Sequence, residues 1–565
     1  MRSEDDLTLV TALARLPRDE DRGFRFIGLD RKERFFSFSA LEAEAYRRAG
    51  HLAALGMQKG DRVALIIPEP HEFVLSFLGA VVAGVVPVPI FPRASFKNVD
   101  AYVDVLAHIV ATSGARLALC MQGNQEVVET LLGRDTSLEA LMTAERAFVG
   151  DPPAFTPPAI VPDDLCFLQF TSGSTSHPKG VTVSHANVVA NTTAMVGPGG
   201  IDRRDDDVAV SWLPLFHDMG LIGFVLATVV GNINAVLMPT ELFGRSPAVW
   251  LEAITKYRGT LTYAPNFAYQ LVTRRLRGKD ISELDLSALR VAGCGAEPIR
   301  AQTLLDFAEA LAPAGFRPEA FLPSYGMAES TLAITFHDVE APIVVDYVDP
   351  GAMKQGRAVP VDAARRDDAL ALVGCGRPFP GHAVRVVGED GAERGEREVG
   401  EILVRGPSVT RGYFANPDAT AAALRDGWLH TGDLGYFADG ELFICGRIKD
   451  LIIIRGANHH PQDIEWAVSD LPGVRRGNVV AFSVMRDGTE ALVVAAEAGS
   501  TDAPALRQAI AQTVNRGFGL TPSHVAVCPV GTLPKTTSGK VQRRKTKAAF
   551  EDGTLVEHAE KITTA

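Results

Sequence analysis

RVALIIP (62–68), EFVLSFLGAVVAG (72–84) and VVPVPIF (85–91) follow one another with only Glu69, Pro70 and His71 intervening. The stretch from Phe73 to Pro92 reaches the length of a membrane-spanning helix. Pro87, Pro89 and Pro92 break it, because proline cannot continue a helical ladder. The segment therefore reads as a buried strand, a buried helix to about Gly84, then a short strand and a turn. Working outward, further short apolar runs recur at 117–120 (LALC), 235–239 (AVLMP), 260–265 (TLTYAP) and 289–295 (LRVAGCG), separated by helical patterns. Buried strands alternating with helices predict parallel α/β layers. No period of 20–50 residues recurs, which excludes a solenoid or propeller.

The 565 residues leave room for roughly three to four domains or subdomains at about 150 residues each. Hydrophobic residues make up 46% and charged residues 22%, enough apolar material for a large core, so global disorder is excluded. Fifty-six basic against 68 acidic residues leave a net charge of −12, which argues against a basic nucleic-acid coat. Cys120, Cys166, Cys294, Cys375, Cys445 and Cys528 are scattered without C-x-x-C, the pattern of reduced thiols. The opening MRSEDDLTLV carries acids where a signal peptide needs a basic region and an apolar core. A cytoplasmic protein with no transmembrane segment and no nucleic-acid partner is expected.

The pattern changes near residue 340. Residues 345–379 lack a helix period and are rich in Pro, Gly and charge, and AVRVVGEDG (383–391), EILVRG (401–406) and ELFICGR (441–447) look like a smaller β-rich unit. After Lys449 the chain restarts. LIIIRG (451–456) reads as a strand and PQDIEWAVSDL (461–471) as a helix opened by Pro461. NVVAFSV (478–484) and ALVVAAEAG (491–499) read as a strand pair, and 505–518 as a helix. The expected organisation is an N-terminal domain over 1–447 and a compact α+β domain over 450–565.

Four stretches carry chemistry. Thr171-Ser172-Gly173-Ser174-Thr175-Ser176-His177-Pro178-Lys179-Gly180 follows the strand-like run LCFLQF. Such a cluster is either a polar surface loop or a phosphate cradle. Small residues let backbone N–H groups approach phosphate oxygens, hydroxyls donate, and Lys179 adds a point charge, which favours the cradle. It is not a Walker A loop: a P-loop counted from Gly173 needs glycine at 178, where Pro178 stands. No dinucleotide fingerprint, H-E-x-x-H or G-x-S-x-G occurs. In Tyr325-Gly326-Met327-Ala328-Glu329-Ser330, a ring suited to a purine stands near a carboxylate suited to Mg²⁺. Trp428-Leu429-His430-Thr431-Gly432-Asp433 offers a carboxylate for ribose hydroxyls, with Arg447 fourteen residues on. Pro534-Lys535-Thr536-Thr537-Ser538-Gly539-Lys540 precedes a basic cluster of Arg543, Arg544, Lys545 and Lys547. Singly, each of the last three is an ordinary turn or a solvated tail.

Together, TSGSTSHPKG, YGMAES, WLHTGDLG, GRIKDLIIIRG and PKTTSGK stand in the order seen in adenylate-forming enzymes, and the resemblance covers nearly the whole chain. Within that superfamily of acyl-CoA synthetases, peptide-synthetase adenylation domains and luciferases, the chain resembles fatty acyl-AMP ligases. SWLPLFHDMGLIG (211–223), YAPNFAYQL (263–271), PSYGMAEST (323–331) and RGANHHPQDIE (455–465) carry that likeness. So does the long 336–373 segment, where fatty acyl-AMP ligases hold an insertion that hinders the CoA-dependent reaction.

The resemblance implies ATP and Mg²⁺ as cofactors and a fatty acid as substrate. The acyl acceptor it implies is the phosphopantetheine thiol of an acyl carrier protein. It implies that Glu329 holds the metal, that Thr171, Ser172, Gly173, Ser174, Thr175 and Lys179 hold phosphates, and that Lys540 bridges the carboxylate and α-phosphate. By the same pattern Gly295, Ala296, Glu297, Ser324, Tyr325, Gly326 and Met327 surround adenine, and Asp433 with Arg447 take the ribose. His217 is placed at the carboxylate, and Phe216, Met219, Ile222, Phe267 and Leu271 are candidates for the acyl pocket. Lys449 is the expected hinge of a swinging C-terminal domain, which carries Lys540 out and a face including Gly456 in. The basic cluster 540–547 is an expected docking surface for an acidic carrier protein. The rival within the class is an acyl-CoA synthetase or another adenylate-forming ligase. A non-catalytic sensor on the same fold would be expected to lack Lys540 or Glu329.

Overall fold

The computed structural model describes residues 7–92, 99–171, 178–454, 457–486, 489–499, 503–535 and 541–558. The chain divides into two compact units. One comprises Met1–Val344, Gly374–Val384 and Leu403–His430; the other Val345–Val373, Arg385–Ile402 and Thr431–Ala565. The architecture is α/β, as the alternation of apolar runs predicts.

In the first unit the opening motif folds as read. Strand Arg62–Ile66 leads to helix Pro70–Val82, with proline in its first turn, and strand Val86–Pro89 returns parallel to the first. The helix is buried along most of its length, through Phe73, Val74, Leu75, Phe77 and Leu78. It has 13 residues, short of the roughly 20 that span a bilayer. No helix among the described residues is long and apolar enough to cross a membrane. Val86–Pro89 is an edge of its four-stranded parallel sheet, which is why Pro87 and Pro89 are tolerated there.

The larger sheet has nine strands. Its order is Arg377–Pro378, Ala333–Phe336, Phe321–Gly326, Val291–Cys294, Leu261–Ala264, Val208–Ser211, Asn234–Leu237, Gly23–Ile27, Glu33–Ser37. Pairing is parallel through the middle and antiparallel at both margins. Ala264, Cys294 and Pro323 lie in register across three neighbouring strands; the first two strands end there and the third runs on to Gly326, all pointing their carboxyl ends to one edge. In open α/β sheets this carboxyl edge is where ligands bind. An aromatic cluster, Trp250, Tyr269, Phe307, Phe316 and Phe321, backs it. A separate antiparallel pair, Leu165–Thr171 and Lys179–Ser184, sets Thr171 opposite Lys179.

In the second unit, Val474–Arg486 pairs antiparallel with Thr489–Ala498, which pairs parallel with His524–Pro529. Helices Pro461–Ser469 and Ala503–Phe518 cover one face through Ile464, Val468, Ile510 and Val514. Phe550, on helix Arg543–Glu551, packs against Phe482 and Val493 on the other face. The 345–373 segment is ordered: Val345–Val348 and Leu370–Val373 form an antiparallel pair. Val348, Met353 and Leu372 share a core with Tyr436, Phe443 and Cys445.

Candidate active site

Four neighbouring strands deliver the predicted carboxylate, acyl and adenine residues of the first unit to one sheet edge, while Thr171 and Lys179 stand on the separate antiparallel pair. The strand Val208–Ser211 runs into the loop of Phe216 and His217, and Leu261–Ala264 into the helix Asn266–Leu276 that carries Phe267 and Leu271. Val291–Cys294 ends at Gly295, Ala296 and Glu297, and Phe321–Gly326 contains Ser324, Tyr325 and Gly326. Two glycines are required by this packing. A Cβ on Gly293 would lie 1.9 Å from the Tyr263 ring, and one on Gly326 would lie 2.0 Å from the Leu332 carbonyl oxygen. Tyr269 adds a hydroxyl hydrogen bond of 2.7 Å to the Gly293 carbonyl.

Gly295 sits against Ser324 across the strand pair. Ala296 takes a left-handed φ of +67°, which turns Glu297 back toward the neighbouring helix. Glu297 Oε1 accepts the backbone N–H of Phe267 at 2.7 Å, in that helix's first turn, where a carboxylate suits the helix dipole. Glu297 thus ties the predicted adenine segment to the predicted acyl helix. Phe267 and Leu271 are four residues apart and share a helix face. Phe267 meets the edge of Trp212 at 6.3 Å, and Phe216 meets Phe91 at 6.3 Å. Met219 and Ile222 are buried where the chain passes from α geometry (Asp218–Leu221) to a π-helical turn (Ile222–Leu226). Such turns recur at functional sites, and no sequence pattern announced this one. His217 is one-third exposed, and its Nδ1 pairs with Asp218 Oδ1 at 2.5 Å. Asp218 also accepts the Met219 N–H, so the ring is oriented by a carboxylate rather than satisfied by backbone alone. Gln169, buried on the strand that ends at Thr171, donates to the Phe216 carbonyl and holds this loop.

Glu329 lies in a tight turn, Ala328–Ser330, that closes on Thr331 at a φ of +66°. This strained threonine is fixed by its hydroxyl on the Ser408 carbonyl at 2.6 Å. The Glu329 carbonyl accepts from Thr410 N–H, and its carboxylate accepts the Tyr413 hydroxyl at 2.7 Å. The Lys179 ammonium sits 5.1 Å from the centre of the same tyrosine ring. Tyr413 was not among the residues read from the sequence; a tyrosine in R-G-Y-F gives no chemical signal until the fold brings it here. Ser172, Gly173, Ser174, Thr175 and Lys540, and Gly456 with them, lie outside the described residues.

Among the described residues no cluster of three or more His, Cys, Asp or Glu side chains is built for a metal ion. A single hard carboxylate such as Glu329 fits Mg²⁺ that arrives with phosphates, since that ion binds through one or two carboxylates and keeps its waters.

In the second unit, Asp433 and Arg447 are directly opposed on the hairpin of Trp428–Ala438 and Glu441–Arg447. Arg447 Nε donates to Asp433 Oδ1 at 2.9 Å; the carboxylate is buried and the guanidinium is exposed. Lys449 lies in the short turn Ile448–Asp450 that follows. The basic cluster needs one correction. Arg543 is no solvated tail residue: it donates to both oxygens of Glu465 at 2.8 and 3.0 Å, to Asp450 at 2.5 Å and to the Ala481 carbonyl at 3.0 Å. Folding draws it inward because two carboxylates converge on it. Arg544 and Lys545 are exposed.

Parallel strands open the predicted turns at one sheet edge, and Asp433 with Arg447 stands on a separate hairpin, an arrangement that agrees with the adenylate-forming class. The chain belongs to the AMP-binding enzyme family, which it matches over residues 19–414; residues 449–560 match the AMP domain of the Disco-interacting protein 2-like type. It is an ATP-dependent, AMP-forming ligase whose likeness within the superfamily is to fatty acyl-AMP ligases. A Caulobacter vibrioides protein provisionally named an acyl-CoA synthetase is 38% identical, over 92% of this chain and 90% of that one. The Moorena producens medium-chain-fatty-acid–[acyl-carrier-protein] ligase JamA is 32% identical, over 88% and 87%. A solved structure from work on the fatty acyl-adenylate ligases of E. coli and L. pneumophila superposes with a TM-score of 0.92. It is 36% identical, over 98% of this chain and 99% of that one.

Proposed function

We propose that this enzyme activates a fatty acid with ATP to acyl-adenylate and pyrophosphate, then passes the acyl group to the phosphopantetheine thiol of an acyl carrier protein. In the first step the carboxylate attacks the α-phosphorus, so two anions must approach and the site's task is to neutralise and position charge. Thr171, Ser172, Gly173, Ser174, Thr175 and Lys179 hold the β- and γ-phosphates, and Glu329 holds the metal. Mg²⁺, when bound, offsets phosphate charge. Gly295, Ala296, Glu297, Ser324, Tyr325, Gly326 and Met327 enclose adenine; Asp433 and Arg447 bind ribose. His217, oriented by Asp218, faces the carboxylate. Lys540 stabilises the charge that shifts in the transition state. Phe216, Met219, Ile222, Phe267 and Leu271 contribute the acyl pocket. For the second step we place a domain boundary at 447–450 with Lys449 as hinge, and carrier docking on the exposed Arg544 and Lys545.

The observation that favours a carrier thiol over CoA is the tether of the 345–373 segment. Lys354 Nζ donates to the Phe518 carbonyl at 3.0 Å, and its own carbonyl accepts from Asn458 N–H at 3.3 Å. A C-terminal domain held in this way is hindered from the rearrangement that the CoA reaction needs. The second reading, an acyl-CoA synthetase, is favoured by the name of the Caulobacter relative.

The test is an end-point assay with Mg-ATP, fatty acids from short to long, and either CoA or a pantetheinylated carrier protein, with products weighed by mass spectrometry. Acyl-AMP that persists with CoA but passes to the carrier is expected. Efficient acyl-CoA formation would transfer the assignment to the synthetase reading.

A further inference from the structure

We infer that Tyr413 is a positioning residue that joins the metal side and the phosphate side of the nucleotide site, through its hydroxyl on Glu329 and its ring beneath Lys179. The inference rests on the proposed roles of Glu329 and Lys179 and adds a residue to which neither the sequence motifs nor the family comparison drew attention.

The geometry carries it at three points. The hydroxyl-to-carboxylate bond is 2.7 Å, and the ammonium-to-ring distance is 5.1 Å, within the range of a cation–π contact. The backbone around Tyr413 is stitched to both partners' segments. Phe414 N–H donates to the Gly180 carbonyl at 2.7 Å, Tyr413 bridges Val181, and Thr410 N–H donates to the Glu329 carbonyl at 2.8 Å. Tyr413 N–H is in turn held by Thr420 Oγ1 at 2.9 Å, so the ring has a fixed platform. One rigid side chain thus sets two opposite charges at a defined separation, the arrangement needed to receive a cation and a polyphosphate together. The two halves of the tyrosine do separate work: the hydroxyl orients the carboxylate, and the ring seats the ammonium.

That division makes the inference testable by binding alone. Full-length protein is titrated calorimetrically with a non-hydrolysable methylene analogue of ATP, without fatty acid, in Mg²⁺ and again in EDTA. Y413F keeps the ring and removes only the hydroxyl. It is expected to weaken analogue binding roughly tenfold in Mg²⁺, as for loss of a hydrogen bond to a charged group, and to leave binding in EDTA unchanged. Y413L removes the ring as well and is expected to weaken binding in both media. A purely structural role would lower both affinities alike in Y413F, together with the melting temperature, and would overturn the inference. Wild-type Mg²⁺-dependence in Y413F would overturn it too. E329Q separates the premises: if E329Q loses Mg²⁺-dependent affinity while Y413F keeps it, only the role of Tyr413 fails. If E329Q binds like wild type in both media, the metal role of Glu329 fails and the inference with it.

Discussion

Gly293 shows how much of the site is decided by single atoms. Its missing side chain is the space occupied by the ring of Tyr263, its register partner on the neighbouring strand that also delivers a site loop. Gly293→Ala is expected to destabilise the first unit by about 1–3 kcal/mol, the usual cost of an added methyl in a filled core. The double variant Gly293→Ala with Tyr263→Leu should recover part of the loss in a thermal melt, because the two positions share one space. Additive losses would show that the methyl is accommodated elsewhere. The sequence presents this glycine only within the apolar run LRVAGCG (289–295). Its reason lies 30 residues away, in Tyr263, and no local rule connects the two. Tyr413 was illegible for the same cause: its chemistry lies in its partners Glu329 and Lys179, both distant along the chain.

At the level of elements, helix Arg543–Glu551 behaves unlike the charged tail its composition suggests. Arg543 neutralises Glu465 and Asp450 inside the fold, whereas Arg544 beside it is exposed. Arg543→Gln should destabilise the second unit by about 3 kcal/mol, since two partly buried carboxylates lose their cation. Arg544→Gln should stay within about 0.5 kcal/mol in the same denaturant titration. Equal effects would mean that the buried pairing does not form in solution. The start of helix Pro461–Ser469 holds a second device. His459 and His460 are buried, and burial holds both rings neutral, down to about 4, with Lys354 adding to the effect on His459 and His459 adding to that on His460. The unfolded chain takes up these protons first, near the ordinary value of 6.5, so stability is full above that value and falls as pH drops from 6.5 toward 4. Hydrogen exchange in residues 457–469, corrected for intrinsic rate, is expected to accelerate between pH 6.5 and 4.5. The double variant His459→Gln, His460→Gln should flatten that slope; an unchanged slope would move the acid sensitivity to other groups.

On the scale of the whole molecule, the proposed choice of acceptor turns on Lys354, which ties the insertion-like segment to Phe518 and Asn458. Lys354→Ala should raise acyl-CoA formation roughly three- to tenfold, the worth of one hydrogen bond, while acyl-AMP formation stays level. No gain in acyl-CoA would remove this contact from the account of specificity. The α/β class, the succession of buried strands and helices, and the order of the motifs were all legible in the residues. Hydrophobic periodicity and turn chemistry are local properties, so a linear reading captures them. The motifs also named segments that the fold then set along one carboxyl edge, from Phe216 to Glu329. Long-range pairing was not legible. That Glu297 braces the helix of Phe267, that Arg543 turns inward, and that Tyr413 joins Glu329 to Lys179 follow from strand order and register. Those depend on which apolar faces bury one another across hundreds of residues, and no window along the chain contains both faces of such a contact.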